Sequence, residues 1–328
     1  MPIKTINASV QQIHNAQNNT ECPFVSVIIP NYNHVHFLKQ RINSVLNQTY
    51  QNFEVILLDD CSSDDSIEVF KHYEGDPHIS HIVINDTNSG SPFIQWEKGI
   101  SLAKGELIWI AESDDACEKN LLEILISEFD KDKECVLAYC KSIKTDINGS
   151  KVGEEGFVYS FHMNGIEFIK KHLCRHNYVA NASSAIFKKK VWDSIDQSFT
   201  DYRGCGDWVL WIEISRCGNI AYNNSPLNYF RIHETNTTIQ QAFSGKNESE
   251  GAKVYQFMRQ KKYIGFKEEF RARLSHIYSI KYGKQHTFYS AETKKRLISS
   301  WRSTPFINCF LWIINIIQKS TGIQIIKR

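Results

Sequence analysis

The 328-residue sequence lacks several features that would assign it to a class directly. Its nine cysteines are odd in number and include no C-x-x-C pair, so neither a zinc ribbon nor a disulfide framework is indicated. The signatures G-x-G-x-x-G and G-x-x-x-x-G-K-[ST] are both missing, which disfavours a dinucleotide-binding turn or a P-loop. No apolar run approaches the ~18 residues that a membrane-spanning helix needs.

Charge and the N-terminal segment exclude further classes. Net charge is only +2, so no strong electrostatic field indicates nucleic acid as a partner. Residues 1–22 are polar and lack a charged segment followed by an apolar one, so we interpret them as an extension and not as a signal peptide. Together with the scattered cysteines, this favours a reducing, cytoplasmic environment.

Buried strands and helical segments alternate along the first half of the chain. Apolar, β-branched runs at residues 24–29, 53–58, 81–84 and 107–111 are separated by segments with apolar residues at helical spacing. This order predicts an α/β fold with a doubly wound, mostly parallel sheet flanked by helices. The alternation is less regular later, and the chain becomes helical and basic from about residue 244.

These patterns predict a domain organisation. After the extension at 1–22, we expect a main domain at 23–240, with a nucleotide-binding half at about 23–140 and an acceptor half at about 141–240. A helical C-terminal region would occupy 241–328. Its apolar segment at 306–317 is typical of a docked helix or of an amphipathic helix that contacts a membrane surface.

An acidic cluster follows the strand predicted at 107–111. Glu112, Asp114 and Asp115 would lie outside the carboxyl end of that strand, where open α/β sheets bind ligands. Crowded carboxylates repel one another unless a cation lies between them, and hard oxygen ligands suit Mg²⁺ or Mn²⁺. The alternative is a charged turn that places acidic groups at a helix N-terminus.

Polar loops after other strands should meet this cluster. Residues 31–34 follow the first strand and residues 59–65 follow the second, so parallel strands would bring all three loops to one edge. Without a glycine-rich phosphate turn, a nucleotide would be held there by carboxylates and an aromatic ring. A carboxylate can accept a hydrogen bond from a base or a ribose, and Tyr32 can pack against a base.

Five segments in order resemble the motifs of the family 2 glycosyltransferases, which have the GT-A fold. They are VSVIIPNYN at 25–33, LDDCSSD at 58–64, ESDD at 112–115, GDW at 206–208 and YFRIH at 229–233. The resemblance extends over residues 24–238. It implies an inverting transferase that moves a sugar from a nucleotide-diphospho-sugar to an acceptor hydroxyl in polysaccharide or glycan biosynthesis.

The resemblance also implies roles for residues that bind the nucleotide. Pro30, Tyr32 and Asn33 match positions of the nucleoside pocket. Asp60 matches the aspartate that reads the base, which favours a UDP-sugar as donor, and Asp114 matches the aspartate near the ribose.

Other matched positions concern the metal and the transfer. Asp115 matches the metal-binding aspartate of the D-x-D element, for Mn²⁺ or Mg²⁺, and Asp207 matches the catalytic base. Arg231 and His233, at the end of a predicted strand, would contact the phosphates. The family implies a saccharide or lipid-linked saccharide as acceptor, which is consistent with a membrane contact through the C-terminal tail.

The sequence departs from the family pattern at three places. Gly206 stands where an acidic neighbour usually precedes the base, Glu112 replaces the more common Asp, and Trp96-Glu97 replaces an Arg-Asn pair. Two alternatives therefore stay open. One is a non-catalytic module that binds nucleotide sugars. The other is a sugar nucleotidyltransferase, although residues 30–34 offer neither the Gly nor the Lys that would hold a triphosphate.

Overall fold

A computed structural model of the chain describes residues 22–233, 244–283 and 286–301. The polar extension, apart from Cys22, and the apolar C-terminal segment therefore lie outside the described residues. The chain divides into two compact units. The first comprises Met1–Phe168 and Asn177–His233, and the second comprises Ile169–His176 and Glu234–Arg328.

The first unit is built on one mixed sheet, which has ten strands in the described residues. The strands are β1 Val25–Asn31, β2 Phe53–Asp59, β3 Ile79–Ile84, β4 Leu107–Ile110, β5 Ala116–Cys117, β6 Cys135–Thr145, β7 Lys151–Glu155, β8 Phe161–Asn164, β9 Ala185–Lys188 and β10 Asn219–Arg231.

The order of the strands decides which loops meet. Along the sheet the order is β3-β2-β1-β4-β9-β6-β10-β5, and β7 and β8 pair with β6 and β10. Strands β1 to β4 pair in parallel, as do β6 and β10, whereas β9 is antiparallel to both β4 and β6. Strand β9 is antiparallel to both of its neighbours, so β4 and β6 run in the same direction. Strand β10 is parallel to β6, and the carboxyl ends of β4 and β10 therefore lie at the same edge of the sheet. The predicted mostly parallel α/β sheet is confirmed.

Helices cover the faces of this sheet. In the first unit they are α1 Val35–Leu46, α2 Ser66–Lys71, α3 Pro92–Leu102, α4 Leu121–Lys131, the single turn α5 Gly165–Phe168 and α6 Gly206–Ser215. Helix α1 buries Leu38, Ile42 and Val45, which recur at helical spacing and pack on the core of the sheet. Helix α6 is apolar around most of its circumference, and accordingly most of its side chains are buried.

Strand β1 continues one residue beyond the end predicted from Pro30. Pro30 pairs with Leu58 and Asn31 pairs with Asp59 in β2. The backbone of residues 24 and 28 faces β4, since Leu107 N–H and Ala111 N–H donate to their carbonyls, so Pro30 faces the same side. Pairing with β4 stops at Ile28, so no hydrogen bond to β4 requires a backbone N–H at position 30, and a proline is tolerated there.

The second unit is helical in its described residues. Its long helices are α7 Lys246–Gln260, α8 Phe266–Tyr282 and α9 Ala291–Trp301, and a π-helical turn covers Ile169–Leu173. Trp301 is fully buried and stacks on His276 with ring centroids 4.0 Å apart. None of the helices in the described parts of either unit has the length and hydropathy needed to cross a bilayer.

Candidate active site

Three residues from distant parts of the chain form a cluster at the carboxyl edge of the sheet. His34 follows β1, Asp114 follows β4 and His233 follows β10. One ligand atom of each lies within 4.8 Å of the others. His233 Nε2 is 3.0 Å from Asp114 Oδ2, and His34 Nδ1 is 2.8 Å from the hydroxyl of Ser113. One carboxylate and two imidazoles are suitable ligands for a divalent transition metal.

Electrostatics in this cluster favours an ionised Asp114, which is the form that binds a metal. Burial opposes ionisation of Asp114, but the hydrogen bond from His233 and the nearby histidine charges outweigh it, so the pKa of Asp114 is below its usual value. Burial lowers the pKa of His34, although Asp114 acts in the opposite direction. An ionised carboxylate and a neutral imidazole are the forms that coordinate metals.

Asp115, the residue matched to the metal-binding aspartate, has a different environment. Its side chain is buried, and its Oδ2 accepts hydrogen bonds from Ser183 Oγ at 2.6 Å and Asn181 Nδ2 at 2.9 Å. Its Oδ1 accepts the backbone N–H of Arg231 at 3.0 Å. Burial and the charge of Asp114 raise the pKa of Asp115 to about 6. Asp115 thus accepts three described hydrogen bonds, two from the turn before β9 and one from β10.

Two buried arginines, Arg41 and Arg231, donate hydrogen bonds to backbone carbonyls of the acidic turn. Arg41 on α1 donates from Nε to the carbonyl of Glu112 at 2.8 Å, and its Nη2 lies 3.9 Å from Asp115 Oδ2. Arg231 donates to the carbonyl of Asp114 at 2.8 Å and to Gln40 Oε1 at 2.7 Å. The guanidinium of Arg231, expected at the phosphates, is thus held by the protein here, whereas His233 lies directly beside Asp114.

Asp60, matched to the base-reading aspartate, holds the loop that follows β3. Its Oδ1 accepts from Asn85 Nδ2 at 2.7 Å, from Gln95 Nε2 at 2.8 Å and from the backbone N–H of Ser89 at 2.9 Å. Its Oδ2 accepts only the hydroxyl of Ser89, at 2.7 Å, among the bonds described. A hydroxyl can rotate, so Oδ2 is the oxygen that retains capacity for a ligand.

The other nucleoside-pocket positions lie on the loop between β1 and α1. Pro30 is buried in β1, whereas the ring of Tyr32 is 48% exposed and available for stacking. Asn33 adopts a positive φ of 56°, a conformation that asparagine tolerates better than most residues. Its Oδ1 accepts the backbone N–H of Ser63 at 2.8 Å, which ties this loop to the loop after β2.

Asp207, matched to the catalytic base, lies in the first turn of α6. The positive end of the helix dipole there stabilises a carboxylate. Its Oδ2 accepts a 2.8 Å hydrogen bond from Asn177 Nδ2, and its Oδ1 accepts the backbone N–H of Trp208. The start of α6 packs against α3 through Gly206 and Phe93.

Sequence reasoning missed several residues of this site. The sequence indicates His34 only as part of a polar loop. Its position after β1, at the edge where the carboxyl ends of the parallel strands meet, is the feature that could have identified it. Nothing in the sequence distinguished Arg41 from other basic residues of a helix. The side chains that donate to Asp115 and Asp207 lie on the segment before β9, where the predicted alternation is irregular, so no pattern identifies them. They are Asn177, Asn181 and Ser183.

The fold and the site define a class. A mostly parallel sheet with flanking helices and an acidic cluster at its carboxyl edge is the architecture of GT-A glycosyltransferases. The family model described as "Glycosyl transferase family 2" matches residues 26–193, just over half of the 328 residues. The chain belongs to glycosyl transferase family 2.

Sequence relatives include two enzymes that are named as synthases. The chain is 26% identical over 219 residues to the chondroitin synthase and to the hyaluronan synthase of Pasteurella multocida. Each match covers 66% of this chain but only 22% and 21% of those enzymes, so the chain spans about a fifth of their length. An uncharacterized glycosyltransferase of Rickettsia typhi is 29% identical over 229 residues, which is 68% of each chain.

Solved structures share the fold at low sequence identity. S. aureus TarS (residues 1–349), in complex with UDP-GlcNAc, superposes with a TM-score of 0.63 at 17% identity, covering 84% of this chain and 79% of TarS. The mannosyltransferase PcManGT from Pyrobaculum calidifontis, in complex with GDP-Man and Mn²⁺, gives 0.55 at 12% identity, covering 94% and 84%.

Proposed function

We propose that the protein is a metal-dependent, inverting glycosyltransferase that moves a sugar from a nucleotide-diphospho-sugar to a hydroxyl of a saccharide acceptor. The observation that carries this proposal is the cluster of His34, Asp114 and His233 at the carboxyl edge of the sheet. Family membership supplies the reaction class, and the cluster supplies the place where a donor diphosphate would be held.

The residues present fit a divalent metal. Asp114 with the two histidines offers one carboxylate oxygen and two ring nitrogens, a set that Mn²⁺ accepts more readily than Mg²⁺ does. We therefore assign the metal to Asp114, His34 and His233, in place of the assignment to Asp115 based on resemblance. When bound, the metal would neutralise the charge that develops on the leaving diphosphate.

The remaining steps belong to side chains of the first unit. Tyr32 would stack on the nucleobase, and Asp60 Oδ2 would accept a hydrogen bond from it. Asp207 would take the proton of the acceptor hydroxyl as that oxygen attacks the anomeric carbon and the diphosphate departs from the opposite face. A single displacement of this kind inverts the anomeric configuration.

Relatives suggest the kind of donor and acceptor. The P. multocida relatives are named as synthases of chondroitin and hyaluronan, and the structural neighbours include complexes with UDP-GlcNAc and GDP-Man. Because Asp60 matches the base-reading aspartate, we propose a UDP-sugar as the donor, and a growing saccharide, free or attached to a lipid, as the acceptor.

The test is a screen of UDP- and GDP-sugars for metal-dependent release of the nucleotide, performed with Mn²⁺, with Mg²⁺ and with chelator. We expect turnover of at least one UDP-sugar, higher activity with Mn²⁺ than with Mg²⁺, and none with chelator. Asp207→Asn should lower turnover about 10²- to 10⁴-fold, the usual contribution of a general base, while calorimetry shows unchanged binding of UDP and Mn²⁺.

Two outcomes would contradict the proposal in different ways. Metal-dependent binding of UDP without transfer to any acceptor would indicate a non-catalytic binding module. Formation of a nucleotide sugar from a nucleoside triphosphate and a sugar phosphate would indicate a nucleotidyltransferase.

A further inference from the structure

Asn177 contacts the proposed base from outside the family motifs. It follows the π-helical turn Ile169–Leu173 and precedes Val179, and its side chain is half-buried. Its Nδ2 donates a 2.8 Å hydrogen bond to Asp207 Oδ2, whereas its Oδ1 is buried without a partner among the described residues. The contact with Asp207 is therefore the one described hydrogen bond that orients this amide.

Gly206 shows why the usual acidic neighbour of the base is absent. A Cβ atom at position 206 would lie 2.4 Å from the carbonyl oxygen of Phe199 and 2.5 Å from the ring of Phe93. Both distances are shorter than real Cβ contacts. One atom belongs to the backbone and the other to an aromatic ring, so neither can move aside as the end of a flexible side chain could. No glutamate fits there unless the backbone of residues 199–206 moves.

We propose that Asn177 is a positioning residue for Asp207, at a site where Gly206 leaves no room for the acidic neighbour that other members of the family have. The inference rests on the proposed role of Asp207 as the base. A neutral amide donor stabilises the carboxylate form of Asp207 and fixes the position of Oδ2. The other oxygen, Oδ1, accepts the backbone N–H of Trp208 in the first turn of α6.

Charged side chains also precede and follow Asp207 in the chain. Asp201 and Arg203, on the segment that leads to α6, are both exposed, and Arg203 Nη1 donates to the carbonyl of Gly90 at 2.8 Å. Farther along α6, Glu213 accepts from the backbone N–H of Asp196 and pairs with Arg216 at 3.1 Å.

A binding-independent test uses the side-chain amide of Asn177 as a reporter. In the full chain labelled with ¹⁵N-asparagine, the Nδ2 signal is assigned by its loss in Asn177→Ala and followed from pH 3 to pH 8. We expect one titration that disappears in Asp207→Asn. Asn219 is a matched control, because its Nδ2 donates at 2.9 Å to Asp132 Oδ2 instead, and its titration should persist in Asp207→Asn. An Asn177 signal that ignores Asp207→Asn would overturn the inference.

Kinetics then test the consequence for transfer, with the donor selected by the nucleotide-sugar screen. Loss of the amide favours protonated Asp207, so Asn177→Ala should move the acid limb of the kcat profile upward by about one pH unit, which is about tenfold in kcat below the limb. Asn177→Asp should move it further, Asn177→Gln should restore part of it, and the KM for the donor should stay constant. Asn219→Ala should leave the profile unchanged.

Failure of the inference and failure of the proposed function give different results. If Asp207→Asn abolishes transfer but every Asn177 variant keeps the profile of the wild type, Asn177 does not position the base. If Asp207→Asn itself retains turnover, the assignment of the base is wrong, and the inference falls with it. Unchanged thermal unfolding of the Asn177 variants separates both results from misfolding.

Discussion

Trp96 Nε1 donates a 2.7 Å hydrogen bond to Glu112 Oε1. Both residues are departures from the family pattern, since Trp96 occupies a position where Arg is common and Glu112 one where Asp is common. The structure shows that the two departures meet. Burial, followed by the charges of Asp114 and Asp115, raises the pKa of Glu112 to about 8, so this carboxyl group is mostly neutral at pH 7. A neutral Glu112 removes part of the repulsion in the acidic turn.

The Trp96–Glu112 pair should be energetically coupled. Trp96→Phe keeps the buried ring but leaves the carboxyl group of Glu112 without this donor, and we expect a loss of about 1–2 kcal/mol in the free energy of unfolding. Urea unfolding of Trp96→Phe, Glu112→Ala and the double variant completes a cycle, in which the coupling should be about 1 kcal/mol. Strictly additive losses would show that the contact contributes nothing.

Substitution of Asp114 should weaken metal binding, whereas substitution of the adjacent Asp115 should lower the stability of the fold. Asp114→Asn removes the carboxylate beside the two histidines, so Mn²⁺ binding measured by calorimetry should be lost while the fold is retained. Asp115→Asn replaces one of two accepting oxygens with an NH2 group, so at least one of the donors Ser183, Asn181 and Arg231 N–H loses its acceptor, and we expect a cost of about 2–4 kcal/mol of stability. If Asp115→Asn were stable and failed to bind Mn²⁺, the metal would belong to Asp115 after all.

The sequence predicted the sheet edge, but the contacts that distinguish Asp114 from Asp115 could be found only in the structure. Alternating buried strands and helices were sufficient for the α/β architecture, because apolar runs of strand length and helical spacing are local signals. Asp114 and Asp115 are adjacent, and only the bend after β4 decides that one points to His233 and the other to Ser183.

The antiparallel strand β9 explains the rest of what was missed. Its reversal between β4 and β6 lets β10 run parallel to β4, so that His233 reaches Asp114, and it brings Asn181 and Ser183 beneath the acidic turn. Strand direction is set by tertiary pairing and not by composition. No pattern within residues 177–188 therefore revealed these contacts.

The hydrogen bonds of Asp60 should order the loop after β3 before any nucleotide binds. Asp60→Ala removes the acceptor of Asn85, Ser89 and Gln95, so we expect faster hydrogen exchange of residues 85–91 and UDP binding weakened at least tenfold, or about 1.4 kcal/mol. Asp76→Ala is a matched control, because Asp76 accepts the N–H of His78 in a turn of the same unit. Equal effects of both substitutions on UDP binding would contradict a specific role of Asp60.

The helical second unit should lose stability in acid through one carboxylate. Glu248 Oε1 and Oε2 accept hydrogen bonds from His286 Nε2 at 3.1 Å and from His276 Nδ1 at 3.2 Å. Burial alone would raise the pKa of Glu248, but these two histidines outweigh it and lower the pKa to about 2. Because the folded pKa is below that of the unfolded chain, the stabilisation is complete above about pH 4.5 and is lost as the pH falls toward 2.

Glu248→Gln should isolate this contribution. The lowered pKa means that the ionised form of Glu248 stabilises the folded unit, and a glutamine cannot carry that charge. At pH 7 we expect hydrogen exchange of the α7 amides to be faster in Glu248→Gln than in the wild type. The ratio of the two rates at one pH cancels the intrinsic exchange rate, and it should approach one as the pH falls below the folded pKa. A ratio that stays constant across this range would mean that the charge of Glu248 does not stabilise the unit, and that its histidine contacts act only as neutral hydrogen bonds.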